Sequence, residues 1–128
     1  MRKVTSKEVC LKYNVSNYTL HYYEKEGLIG PIKKNKSDHR IYSETDLKGL
    51  EFILCMRKAK ISIKTLKEYI LLYEKGEKTK EKRLELLQNE LNNLDAKIKD
   101  MNEAKNYLTY KIKLYEQDKL EEILKGNV

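Results

Sequence analysis

The clearest periodicity in the chain lies in its C-terminal half. Leu84, Leu87, Leu91, Leu94, Ile98, Met101, Lys105, Leu108, Ile112 and Tyr115 follow one another at alternating steps of three and four. That spacing predicts one long helix with an unbroken heptad seam, roughly 47 Å long at about 1.5 Å per residue. A lone helix with such a stripe leaves it in water, and the rest of the chain is too short to cover it. Self-association through these ten positions is the expected answer. Lys105 is the only charged seam residue. There it either fixes register and strand orientation at a cost in stability, or snorkels its charge to the edge.

Shorter elements precede the seam. Thr5 with Glu8 makes a capping box and predicts a helix over about 5–13, with Val9 and Cys10 facing inward. Ser16 can cap a second helix over 17–26 that stops at Gly27. The Tyr13-Asn14-Val15 turn between them gives the outline of a helix-turn-helix. Leu28 to Ile32 is an extended apolar stretch, Lys33 to Asp38 is polar and basic, and His39-Arg40-Ile41-Tyr42 alternates. These read as a small two-stranded wing with a flexible basic tip. Ser43 with Asp46 opens a helix over about 44–59, Ser62 one over 63–75 closed by Gly76, and Thr79 can cap the long helix. The fold class is therefore mainly α: a winged helix-turn-helix over 1–76, then a coiled-coil helix with a short tail over 77–128.

Charge sharpens this division. Residues 1–76 carry 16 Lys/Arg against 9 Asp/Glu, and residues 77–128 carry 11 of each, so the whole net charge of +7 sits on the head. A polyanion is the natural partner of such a head, although lysine-rich surfaces also serve solubility. Two cysteines, Cys10 and Cys55, are too few for a disulfide scaffold and match no zinc spacing. No run is long and apolar enough for a membrane span, and no signal peptide is visible, so a cytoplasmic protein near the nucleoid, with no bound cofactor or metal, is expected.

The residues Ser16-Asn17-Tyr18-Thr19-Leu20-His21-Tyr22-Tyr23-Glu24-Lys25-Glu26-Gly27-Leu28 resemble the second-helix signature of the MerR family of bacterial regulators, S-x-x-T-L-R-Y-Y-E-x-x-G-L. Arg40 and Tyr42 match the family's wing, and Phe52 to Arg57 with Ile61-Ser62-Ile63 is similar to its third-to-fourth helix junction. Within the family, the F-I-x-C-M-R run and the short tail resemble the AdhR/NmlR-like branch, whose members include regulators of the response to aldehydes and other thiol-reactive electrophiles. The resemblance implies that the coiled coil is an antiparallel dimer helix, and that RNA polymerase at a promoter is a partner.

In the implied docking the second helix enters the major groove and the wing rests on flanking backbone. Ser16, Tyr18, Thr19 and His21 would face the DNA from that helix. Of the adjacent tyrosines, Tyr23 is expected to reach a phosphate and Tyr22 to pack inward. His21 stands where the family mostly has Arg, and imidazole cannot make arginine's bidentate contact to guanine. On the wing Arg40 is the expected phosphate ligand, supported by Lys34, Lys36, His39 and Tyr42. Asp38 occupies the usual wing-tip Gly position and tolerates positive φ better than most residues. Arg57 matches a backbone contact, and Lys60 replaces a common Gly.

Cys55 lies one turn after Glu51 and beside Arg57-Lys58, a basic setting of the kind that activates thiols. The resemblance suggests an electrophile sensor; the residues alone equally fit a small buried core side chain. Cys10 reads as structural. The expected function is a dimeric transcription regulator on a pseudo-palindromic promoter, and the resemblance implies that it acts by distorting that DNA. The competing reading is a coiled-coil adaptor whose basic head binds protein. Catalysis is not expected, because no acid–base pair or oxyanion loop accompanies Cys55.

Overall fold

The computed structural model describes residues 4–117 and 125–126. The tail expected beyond Tyr115 falls mostly outside them. The chain divides into two compact units, one ending at Leu86 and one beginning at Leu87.

The first unit opens with β1 (Val4–Thr5), α1 (Ser6–Tyr13) and α2 (Asn17–Lys25). Thr5 caps α1 reciprocally: its Oγ1 accepts the Glu8 N–H at 3.3 Å, and Glu8 Oε1 accepts the Thr5 N–H at 3.2 Å. Asn14 takes the left-handed conformation (φ 51°), which turns the chain sharply toward Ser16. Ser16 Oγ then accepts the Thr19 N–H at 3.0 Å and starts α2. A cap of this kind stabilises its helix by about 1 kcal/mol.

The wing departs from the sequence expectation. It is a three-stranded antiparallel sheet in the order β1-β3-β2, with β2 at Lys33–Lys34 and β3 at Arg40–Tyr42. Val4 pairs with Tyr42, and Lys34 with Arg40. The third strand leaves no sequence signal, because two residues ahead of a capping box carry no alternation. The apolar run Leu28–Ile32 is no strand either: Leu28, Ile29 and Ile32 fill the core, linked through a cis Gly30–Pro31 peptide. Gly30 is obligatory there, since its φ is +81° and an added Cβ would meet Ile32 N at 2.7 Å. The tip is not a loose loop. Asn35 Oδ1 accepts the Ser37 and His39 N–H groups at 2.9 and 3.0 Å.

Helix α3 (Glu44–Lys58) carries the expected Ser43–Asp46 capping box, and Ser62 caps α4 (Ile63–Glu74). Val9, Leu20, Tyr23, Tyr42, Leu50, Ile53, Ile61 and Leu66 join the connector residues in one core. Each large side chain buried there contributes about 1.5–3 kcal/mol. Thr79 does not play the simple capping part expected of it. It ends a 3₁₀ turn (Glu77–Thr79) and is buried, its single hydroxyl proton shared between the Leu72 and Gly76 carbonyls at 2.6 and 2.8 Å. Its oxygen also accepts from Arg83 Nε at 3.1 Å.

Helix α5 runs from Lys80 to Glu116 as one 37-residue element and carries all ten seam positions. Leu84, Leu91, Ile98, Met101, Leu108, Ile112 and Tyr115 are exposed in the single chain. Leu87 and Leu94 are half-buried.

Candidate nucleic-acid interface

Helix α2 has two distinct sides. Leu20 and Tyr23, three residues apart, point into the core. Asn17, Tyr18, His21 and Tyr22 lie on the other side and are exposed, Tyr18 to 81%. A helix presents residues three or four apart on the same face, so burying Leu20 takes Tyr23 inward and leaves Tyr22 beside Tyr18. This reverses the expected division of labour between the tyrosines. Tyr23 packs, 7% exposed, and Tyr22 is 39% exposed and available to a partner. Thr19 is half-buried, and its Oγ1 accepts from Ser16 Oγ at 2.9 Å.

Tyr42 is a second correction. Its side chain is fully enclosed, so the phenol cannot support a phosphate contact from this position. Central strand β3 points Tyr42 into the core while alternation leaves Ile41 half-buried on the other face. The Tyr42 hydroxyl has no hydrogen bond of good geometry, although Ser6 is close enough to favour its ionised form. Burial dominates and raises its pKa above 10.0; Glu24 and Cys10 raise it further, and Arg40 opposes them.

Lys34, Lys36 and His39 are exposed on the wing, as is Lys33. Asp38 adopts φ 64° at the tip and folds back on Lys34, Oδ1 to Nζ 3.5 Å. Arg40 is held along one edge of its guanidinium. Its Nε donates to Glu24 Oε1 at 2.8 Å, and the two side chains are 27% and 19% exposed. Between the N-terminal end of α1, α2 and the wing lies a groove of about 670 Å³, lined among others by Lys7, Cys10, His21, Asp38, His39 and Arg40. It unites three of the expected DNA contacts (His21, His39, Arg40). The groove and the exposed α2 face together can receive a polyanion.

Arg57 and Lys60 lie elsewhere, at the α3–α4 junction. Arg57 Nη1 donates to the Ile61 carbonyl at 2.8 Å, and Lys60 holds φ 66°, as a site that commonly takes Gly would require. Cys55 is exposed, so the buried-core reading of this thiol does not hold. It falls off the stripe through which Leu50 and Ile53 pack α3 into the core. Cys10 is half-buried and packs against that core. Tyr13 donates to Glu51 Oε2 at 2.8 Å, tying α1 to α3; desolvation first, then Glu51, raises its pKa.

Sequence reasoning missed Glu24, Lys7 and Asn17. Glu24 was within reach, since it closes the Tyr22-Tyr23-Glu24 motif. Lys7 is one basic residue in a short helix and had no signal. Among the described residues no helix is long and apolar enough to cross a membrane, and no three His, Cys, Asp or Glu gather to hold a metal.

Known proteins share this arrangement. The family model for MerR HTH regulatory proteins matches residues 4–72, and a second one, for MerR DNA binding, matches residues 47–110. The HTH-type transcriptional regulator AdhR of Bacillus subtilis is 43% identical over 83 residues, covering 65% of this chain and 59% of that protein. This chain thus spans under two thirds of that relative's length. A crystal structure from Listeria monocytogenes, described as of the same family, superposes with a TM-score of 0.82 at 36% identity, over 98% of this chain and 99% of that one. HiNmlR, a MerR family regulator lacking the sensor domain and solved bound to promoter DNA, gives 0.81 at 28% identity over 93% and 94%. The chain belongs to the MerR HTH family of transcriptional regulators, in its AdhR/NmlR-like branch.

Proposed function

We propose that this chain is a cytoplasmic, non-enzymatic regulator that binds promoter DNA as a two-fold dimer. Residues 1–76 form the DNA-binding domain and residues 77–128 the dimerisation helix. One observation carries the reading: the exposed face of α2, with Tyr18, His21 and Tyr22, opens beside a groove lined by Lys7, His39 and Arg40. HiNmlR, which this chain matches over 93% of its length, was solved on promoter DNA. Tyr18, His21 and Tyr22 meet the major groove; Ser16 and Thr19 shape the start of that helix. Lys34, Lys36 and His39 meet flanking phosphates, and Arg57 and Lys60 meet the backbone from the α3–α4 junction. The seam from Leu84 to Tyr115 joins two copies. The pair of heads bends and untwists a pseudo-palindromic site for RNA polymerase, a deformation that contacts in both half-sites offset.

The signal reaching Cys55 is a thiol-reactive electrophile, which the exposed thiol would meet first. The test is titration of the full chain against duplex DNA from upstream of its own gene. Log affinity should fall linearly with log salt, with a slope of about −0.9 per phosphate neutralised, and a scrambled duplex should bind more weakly. Absence of binding at low salt sinks the regulator reading and leaves the adaptor. In a reporter strain, Cys55→Ser should abolish induction by an aldehyde while leaving DNA binding intact.

A further inference from the structure

The carboxylate of Glu24 has no part in the reading above, yet both of its oxygens are engaged. Oε1 accepts Arg40 Nε–H at 2.8 Å, and Oε2 accepts the Ile32 backbone N–H at 3.2 Å. Ile32 immediately precedes β2, and Arg40 opens β3. One side chain on α2 therefore grips both strands of the wing hairpin, β2 just before its first residue and β3 at the end next to the tip. Its helix is the one that presents Tyr18, His21 and Tyr22. The bonds are only 19% and 27% exposed at the two side chains, so water screens them weakly.

Electrostatics alone argues against an acid here. A carboxylate beside the groove opposes a polyanion, and it engages the Nε edge of a guanidinium that lines that groove. We infer that Glu24 is a positioning residue for DNA binding: it fixes the wing against α2, and Arg40 acts first as the strut of that joint. The physical gain is preorganisation. A wing held at a set distance from the recognition helix meets its phosphates without a further ordering cost, and the two contacts reinforce each other as linked sites do. A wing freed from α2 must be ordered at the moment of binding.

The inference rests on the DNA-binding reading, and the experiment separates the two. Full-length Glu24→Gln, Arg40→Lys and wild type are titrated against the upstream duplex and a random-sequence 30-base-pair duplex at several salt concentrations. Gln keeps the shape but faces one of the two donors with an amide N–H. Lys keeps the charge but has no Nε–H at that place. Affinity should fall roughly tenfold in each variant on both duplexes, the worth of one charge-assisted hydrogen bond. Circular dichroism and urea midpoints check that the fold survives. An acid that merely repels DNA gives the opposite sign: Glu24→Gln binds more tightly, most of all at low salt. An Arg40 that matters only for its charge leaves Arg40→Lys at wild-type affinity, even if Glu24→Gln fails to fold. Either of these outcomes overturns the positioning role. Failure of wild type to bind either duplex overturns the DNA-binding reading itself.

Discussion

At the scale of single residues, two neighbouring tyrosines on α2 face different ways, Tyr23 into the core and Tyr22 outward. Adjacent residues on a helix lie about 100° apart, so the two rings meet different surroundings, and the motif does not say which one meets the core. Leu20 does, because a residue three positions after a buried one returns to the same face. Tyr22→Phe should weaken promoter binding a few-fold, since a hydrogen bond contributes about 0.5–1.5 kcal/mol, whereas Tyr23→Phe should leave it unchanged. Titration of both variants on one duplex decides between the tyrosines. Tyr42 makes a different point: its buried hydroxyl has no well-formed partner. Tyr42→Phe should be neutral or stabilising by up to about 1 kcal/mol in urea unfolding, because it removes a poorly satisfied polar group. It should not alter DNA affinity. The pH dependence follows from the raised pKa. The folded state holds this proton more tightly than the unfolded chain does. The associated stability is full below the unfolded value near 10 and is lost as pH rises above it. Tyr42→Phe should therefore lose less stability than wild type between pH 10 and 11.

At the scale of elements, legibility follows the kind of signal. Caps are local chemistry, so the helix starts at Ser16, Ser43 and Ser62 were readable from side chains alone. The wing depends on pairing between Val4–Thr5 and Arg40–Tyr42, nearly forty residues apart, and two-residue strands leave no pattern. The apolar connector Leu28–Ile32 imitates a strand because its residues are buried, but the core that buries them is not a sheet partner. Helix α5 is the opposite case, where periodicity alone placed every seam residue on the observed helix. Within it, Lys105 is exposed in the single chain and carries a charge into the proposed dimer seam. Lys105→Leu should strengthen self-association, by about 1 kcal/mol or more, and allow alternative registers. Sedimentation equilibrium reads the first effect; disulfide trapping of single-cysteine seam variants reads the second. A wild-type association constant in the Leu variant would place Lys105 at the edge of the seam.

At the scale of the whole molecule, two sequence properties belong together. The positive excess is confined to residues 1–76, and the charge-balanced helix beyond them carries an apolar stripe that is mostly exposed among the described residues. Neither property alone specifies a regulator. A single cationic head binds duplex DNA weakly, and a bare coiled coil binds none. Joined, they make the second head's encounter with its half-site intramolecular, which can raise affinity by about 10²–10⁴ without any new contact. On the proposed two-fold reading, the seam is part of the DNA-binding apparatus. Leu94→Asp, which sets a carboxylate in the middle of the stripe, should yield a monomer with an intact head. That monomer should bind a single half-site duplex as wild type does, and bind the complete pseudo-palindrome at least about a hundredfold more weakly. Its salt slope should be about half that of wild type, because one head neutralises half the phosphates. Equal losses on both duplexes would mean that the substitution damaged the head. Undiminished binding to the complete site by a demonstrated monomer would show that the two heads do not act together, and the two-fold reading would fail with it.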